Sequence, residues 1–310
     1  MHIKRKILLT AGAGLLLLAS ACGPSSGNRQ GSAKQAADSL LDAKDGAGGS
    51  AIAVTPETRI VSLNGTISEI LAALGMEENI VGTDVTSTYP ASMQEKPKVG
   101  HNRNISAEGV LSLQPDLILA RTEELNTALR SQFETAGVRV VSYKQEYSAE
   151  GTRTLIREVA QSLGQPGRAS PIIGRLDKDL KTADRFVDTL SRPRVLFIYA
   201  RGTGTMMVAG ENTQMEQVIH MAGGQNAVRG FEDFKPLTAE SLVAANPDVI
   251  LLFDSGLESL GGMEGLLKVR GIAQTNAGKN RKVIEMDGQL LTGFGPRLGK
   301  AVAELAQGIR

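Results

Sequence analysis

Apolar positions along this chain follow two rhythms: short unbroken runs, and longer stretches in which they recur every three or four residues. Arg59–Leu63 is a run that predicts a strand, with Asn64-Gly65 as a turn behind it. Thr66 or Ser68 then caps a helix through Leu74, stopped by Gly75. Ile80–Val81 opens a second strand. Ser106 caps a helix to about Leu113, Gln114-Pro115-Asp116 breaks it, and Leu117–Ala120 is a buried strand. Helices over Glu123–Ala136 and Ser148–Leu163, each followed by Gly, flank a strand at Val138–Ser142. Behind Ser170-Pro171, apolar residues at helical spacing from Ile172 to Leu190 predict a helix of about 30 Å, ended by Pro193.

The same plan then returns. Arg194–Tyr199 is a strand, Gly202, Gly204 and Gly210 punctuate a loop, and Thr213–Ala222 is a helix closed by Gly223-Gly224. Strands follow at Val249–Phe253 and Val283–Met286, and a last helix runs from Arg297 to about Ala306. Strands alternating with helices imply an α/β fold with mostly parallel sheets flanked by helices.

One segment is written twice. Ser106-Ala-Glu-Gly-Val-Leu-Ser-Leu-Gln-Pro-Asp-Leu-Ile-Leu119 returns as Thr238-Ala-Glu-Ser-Leu-Val-Ala-Ala-Asn-Pro-Asp-Val-Ile-Leu251. Each copy belongs to a whole lobe, since the distance between copies far exceeds a solenoid repeat of about 20–50 residues. Two similar lobes joined by one long helix leave a cleft between them, a favoured place for a ligand. A rigid helical connector predicts little hinge closure. Residues 57–168 read as the N-terminal lobe, 169–192 as the connecting helix and 193–310 as the C-terminal lobe.

Composition changes the reading of the first 56 residues. Lys4, Arg5 and Lys6 precede an apolar stretch, Ile7 to Ala19, that is too short to span a bilayer. It runs into Ala19-Ser20-Ala21-Cys22, small residues before the only cysteine of the chain. Residues 1–22 therefore read as a lipoprotein signal peptide with Cys22 as the acylated residue, giving a protein exported and anchored in the cell envelope. Residues 23–56, rich in Gly, Ser, Ala, Lys and Asp, read as a flexible tether with room for a short helix at Ala33–Ala43. With its one cysteine lipidated the exported chain has no disulfide, so the fold rests on its core. Charge is nearly balanced, 34 Lys and Arg against 33 Asp and Glu, which gives no footprint for nucleic acid.

Enzyme signatures are missing. Gly202-x-Gly204 lacks a third glycine for a dinucleotide loop, and no Gly-x-Ser-x-Gly, His-Glu-x-x-His or phosphate-loop Lys is present. Beyond residue 22 only His101 and His220 remain, too few for the several-His site that Zn or Mn would want. Tryptophan is absent and there are four Tyr, so a Tyr in the cleft carries information. Glu108 and Glu240 each lie in the first turn of a helix, where a carboxylate offsets the helix dipole.

Taken together, the chain resembles the class III substrate-binding proteins of ABC importers, and within them the haem-binding lipoproteins of the HmuT type. The resemblance rests on Arg59-Ile-Val-Ser-Leu63, Ser68-Glu-Ile-Leu-Ala-Ala-Leu-Gly75, Thr86-Ser-Thr-Tyr-Pro90, Pro97-Lys-Val-Gly100 and the first repeat. In the second lobe it rests on Lys235-Pro-Leu-Thr-Ala-Glu-Ser-Leu242, Gly256-Leu-Glu-Ser259 and Gly293-Phe-Gly-Pro-Arg297. It implies that Tyr89 is the axial ligand of ferric haem b, a hard phenolate oxygen on Fe(III). A nearby cation and the iron itself would both favour phenolate. Arg103, Arg201 and Arg297 are expected in the pocket, near Tyr89 or on haem propionates, with His101, Met206 and Met207 as further lining. Some members supply a His from the second lobe, where this chain has Arg201, so a single protein ligand, or a site accepting stacked haems, is expected. Glu108 and Glu240 would dock on arginine pockets of the ABC permease dimer. The implied protein is a monomer that binds haem and makes or breaks no bond in it. The rival readings are a siderophore or cobalamin binder of the same fold, and a haem-handling sensor or enzyme.

Overall fold

The computed structural model describes residues 51–101, 104–187 and 191–310. The signal peptide, Cys22 and nearly all of the tether lie outside the described residues, as does Arg103. In the first lobe the order is β1 (Ile60–Ser62), α1 (Gly65–Ala73), β2 (Ile80–Thr83), β3 (Gly100–His101), β4 (Asn104–Ile105), α2 (Ala107–Ser112), β5 (Leu117–Arg121), α3 (Thr127–Thr135), β6 (Arg139–Tyr143) and α4 (Ala149–Ser162). The connector is α5 (Pro166–Ala183). The second lobe holds β7 (Arg194–Ala200), β8 (Met206–Ala209), α6 (Gln214–Met221), β9 (Gln225–Asn226), β10 (Phe234–Pro236), α7 (Ala239–Ala245) and β11 (Val249–Phe253). It continues with α8 (Asp254–Ser259), α9 (Gly262–Lys268), α10 (Asn276–Lys279), β12 (Val283–Met286), α11 (Gly288–Thr292) and α12 (Leu298–Gly308).

Each lobe has its own sheet. The first is fully parallel in the order β2-β1-β5-β6. In the second, β9, β7, β11 and β12 pair in parallel, while β8 and β10 add antiparallel strands on one side. The three short strands β8 to β10 were not legible as strands, because a Gly-punctuated stretch of mixed polarity carries no clear period. One core runs behind both sheets and joins α1, α4 and α5 to α6 and α12. Two further clusters fill the opposite face of each sheet, around Phe133 in the first lobe and Leu252 in the second.

The capping chemistry decides several boundaries. Asn64 is the N-cap of α1, its Oδ1 accepting from the N–H of Thr66 at 2.9 Å and of Ile67 at 3.3 Å. Asn64-Gly65 is thus a helix start instead of a turn, and neither Thr66 nor Ser68 caps. Their hydroxyls bond elsewhere, Thr66 to the Gly293 carbonyl and Ser68 to the buried Ser62 and Ser87. The predicted Glu123–Ala136 helix divides into a short turn at Thr122–Glu124 and α3, which Asn126 caps through the Leu129 N–H. The connector begins at Pro166, where a missing N–H costs nothing, and carries Pro171 inside it. It ends at Ala183, seven residues short of Leu190, with Arg185 and Phe186 folding back onto Thr182 and Ala183. Its 18 residues make about 27 Å of helix. The connector packs on α12 at Gly299, where a Cβ would lie 2.6 Å from the Leu180 nitrogen.

The duplicated segment is a duplicated structure. Ser106 caps α2 through the Gly109 N–H, and Thr238 caps α7 through the Ser241 N–H. Asp116 accepts from the backbone N–H of Arg59 at 2.8 Å, and Asp248 accepts from that of Arg194 at 3.0 Å. Each Pro-Asp therefore ties the entry of its strand to the entry of the neighbouring strand, β1 or β7. Burial raises the Asp248 carboxyl, but the Arg194 N–H, the Asn276 amide and nearby cations outweigh it, and its pKa lies below the ordinary value. Glu108 and Glu240 are the other kind of repeat, both exposed and both in first turns. Among the described residues no helix is long and apolar enough to cross a membrane.

Candidate ligand cleft

In open parallel sheets the ligand crevice lies beyond the carboxyl ends of the strands. Asn64, the Asp84–Tyr89 segment, Arg121, Arg201 and Asp254 all follow or end such strands here. The most organised of these places is the loop after β2. Asp84 is buried and accepts from the N–H and hydroxyl of Thr86 and, at 2.7 Å, from the Ser87 hydroxyl. Ser87 also meets Ser68 of α1 at 2.8 Å. Lys98 reaches under the loop and spends its three N–H groups on the Thr83 hydroxyl and the Ser87 and Met93 carbonyls, at 2.7–2.9 Å. Burial pulls the Lys98 pKa below its ordinary value, against the opposing charge of Asp84. Thr86, Ser87 and Thr88 thus all turn their hydroxyls to partners, and Tyr89 is the side chain left outward, 43% exposed. Val85, in the same loop, is also exposed.

Behind the Tyr89 ring stands Arg297, its guanidinium carbon 3.6 Å from the ring centroid. The sequence placed Arg297 with the second lobe, but the chain carries it across to the first. Its backbone N–H and Nε each donate to Glu69 at 3.0 Å, and Nη2 lies 2.9 Å from Glu69 Oε2 without a directed hydrogen bond. Glu69 belongs to α1 and is buried. Burial raises its pKa, and the hydrogen bonds and charge of Arg297 oppose that shift without cancelling it. The Gly293 carbonyl between them accepts from Thr66 at 2.6 Å and from Gln145 at 2.7 Å. The segment from Gln289 to Arg297 is therefore a strap of the second lobe laid on the first.

Other expected residues separate. Arg201 is exposed at the end of β7, 5.8 Å from the Tyr199 ring, and makes no ion pair with another described residue. Met206 and Met207 are neighbours in β8, and successive strand residues face opposite ways. Met206 packs into the second-lobe core, while Met207 stands opposite Tyr199, so the two do not form one wall. His101 ends β3, whose Gly100 carbonyl accepts from Val85, which puts it beside the Tyr89 loop with an exposed side chain. His220 is exposed and lines a separate hollow with Arg192 and Arg229. A second, mainly apolar groove between α2 and α3 borders Glu108. Neither hollow contains Tyr89. Among the described residues no cluster of three or more His, Cys, Asp and Glu is placed to hold a bare metal ion.

Sequence reading missed Arg121, Lys98, Glu69 and Gln289. Arg121 ends β5, half-enclosed by Glu123 and Glu124 and donating to the Tyr147 hydroxyl at 3.1 Å. Lys98 and Glu69 lie inside the segments Pro97–Gly100 and Ser68–Gly75 that carry the family resemblance, which is the only signal either gave. Gln289 had none.

The profile of the periplasmic binding protein family covers residues 60–290, and the chain belongs to that family. Among solved structures it is similar to the periplasmic heme-binding protein RhuT from Roseiflexus sp. RS-1 in apo form, with 41% identity and a TM-score of 0.78 over 82% of this chain and 98% of that one. It is 28% identical over 305 residues, 96% of this chain and 95% of the relative, to an uncharacterized ABC transporter substrate-binding lipoprotein, YvrC, of Bacillus subtilis. It is also 29% identical to a cobalamin-binding protein of Halobacterium salinarum, over 62% of this chain but only 53% of that protein's length.

Arg297→Met should leave the Glu69 carboxylate buried without a partner and lower unfolding stability by about 3–5 kcal/mol. Adding Glu69→Gln should restore part of that loss. Denaturant titration of the single and double variants checks this; equal losses in both would mean that the two side chains do not act as a pair.

Proposed function

We propose that this chain is an extracytoplasmic haem-binding protein that delivers haem to an ABC importer. The observation that carries the reading is Tyr89, held outward on a fully hydrogen-bonded loop with a guanidinium against its inner face. The likeness to RhuT over nearly the whole of that protein supports it. Ferric haem would be held by the Tyr89 phenolate, by apolar contact with Val85, and by Arg201 pairing with a propionate from the facing lobe. Arg103 would be a second propionate partner, and His101 and Met207 would border the pocket. In the loaded site the Arg297 cation offsets the negative charge that a phenolate oxygen brings to the iron. Binding and release would be its activity, as the substrate-binding lipoprotein among its relatives supports. A corrinoid is the second reading, supported by the likeness to the cobalamin-binding protein.

Tyr89→Phe removes only the phenolic oxygen. It should abolish the iron–phenolate charge-transfer band of added hemin and weaken binding by more than the roughly 10–100-fold that a lost outer-shell partner costs a metal site. A spectral titration decides, and unchanged binding of hemin would sink the reading of Tyr89. Preference for cyanocobalamin over hemin in the same titration would favour the second reading.

Glu108 and Glu240 would meet the two halves of a permease dimer. Alanine at both should leave hemin binding intact, cost about 0.3–1 kcal/mol of stability at each site, and slow haem transfer into vesicles holding the cognate importer. Transfer at the wild-type rate would remove the docking role.

Cys22 would carry the lipid anchor. Cys22→Ser should move the expressed protein from the membrane fraction to the soluble extracytoplasmic fraction. Equal membrane association of the variant would exclude acylation as the anchor.

A further inference from the structure

From inside the first lobe, hydrogen bonds fasten Val85, Thr86 and Ser87 and, through the Gln94 amide at 3.1 Å, the Thr88 carbonyl. The N–H groups of Thr88 and Tyr89 are held from the other lobe. Gln289 stands in the first turn of α11, just beyond the carboxyl end of β12, and is 8% exposed. Its Oε1 accepts from the Thr88 N–H at 2.7 Å, the Tyr89 N–H at 2.8 Å and the Thr88 hydroxyl at 2.9 Å. Its Nε2 donates to the Gly65 carbonyl at 2.8 Å, with the Tyr89 carbonyl at 3.5 Å. One end of the amide faces donors and the other faces carbonyls, so the network itself fixes which end is oxygen.

The surroundings are built to bring this amide in. Gly65 leaves the space, because a Cβ there would stand 3.2 Å from the Gln289 Cδ and 2.9 Å from the Thr86 carbonyl. Asp287 caps α11 through the Leu290 N–H at 2.7 Å and sets the direction in which Gln289 leaves the helix. Arg297, farther along the same strap, backs the ring whose backbone Gln289 holds.

We propose that Gln289 is the positioning residue for the ligand of the haem iron, and that it makes the placement of Tyr89 depend on contact between the lobes. This rests on the reading of Tyr89 as that ligand. Two backbone N–H groups of the loop have their acceptor only while the second lobe lies against the first. A loop so held keeps the phenolic oxygen where the iron must be met, and a loop released from Gln289 leaves the ligand residue free to move away from the metal.

Gln289→Leu removes every polar contact at nearly constant size, and Gln289→Glu keeps the acceptor while turning a second oxygen on the Gly65 carbonyl. Full-length variants are loaded with hemin; the iron–phenolate band is recorded, and the rate of hemin loss to an excess of a haem-scavenging globin is measured. The expected result is a shifted or weakened band and loss about tenfold faster for leucine, as for one or two net hydrogen bonds, with glutamate in between. A folded Gln289→Leu protein with the wild-type band and a loss rate within twofold of wild type overturns the proposal. Should the leucine variant not fold, the glutamate variant decides by the same criteria. Tyr89→Phe run alongside separates the two ideas: if it too keeps the band, the assignment of the ligand has failed, whatever Gln289 does.

Discussion

Glu69 is a buried carboxylate in the first helix of the first lobe, and a charge in that position must find a partner. Its partner is Arg297, 228 residues farther along the chain. To make that pair the chain must carry the strap from Gln289 to Arg297 over the carboxyl end of the first sheet. The contacts between the strap and the first lobe follow from that path. The Gly293 carbonyl reaches Thr66 and Gln145, the Phe294 carbonyl reaches Thr152, and Gln289 reaches the backbone of Tyr89. The ion pair does not have to add net stability to matter, since a buried pair often breaks even against apolar packing. It commits the two lobes to one arrangement.

That arrangement suits a carrier. Under the proposed function, a flat, partly apolar ligand would need an open face with one strong ligand atom, and Tyr89 and Val85 are the large side chains this loop exposes. The polar groups around it are already satisfied, carbonyls by Lys98 and N–H or hydroxyl groups by Asp84, Ser68 and Gln289, so little of the loop has to be ordered when a ligand arrives. Arg201 is exposed and without an ion pair to another described residue, and in the proposed function it would be the cation that meets a ligand carboxylate.

The duplicated segment separates two uses of acidic residues. Asp116 and Asp248 accept the first N–H of the neighbouring strand and belong to the sheets. Glu108 and Glu240 stand on exposed first turns and tie nothing in the described fold that would require a carboxylate. Duplication preserved both pairs, one inward and one outward. In the proposed function the outward pair would meet a partner that offers two similar surfaces.

By itself the sequence determined what is local or repeated. Strand runs, glycine stops and the cap at Ser106 depend on residues within a few positions of each other, so they could be read directly. The repeat announced two lobes, and the resemblance carried by Thr-Ser-Thr-Tyr-Pro made Tyr89 the expected ligand. Boundaries failed where a better local partner competed, as when Asn64 took the cap expected of Thr66 or Ser68. Tertiary structure alone decided which lobe Arg297 serves and that Gln289 touches the Tyr89 loop at all. Those contacts join positions up to 228 residues apart, and no period or spacing encodes them. They arise only when helix packing and the buried charge of Glu69 bring the ends of the chain to the same edge.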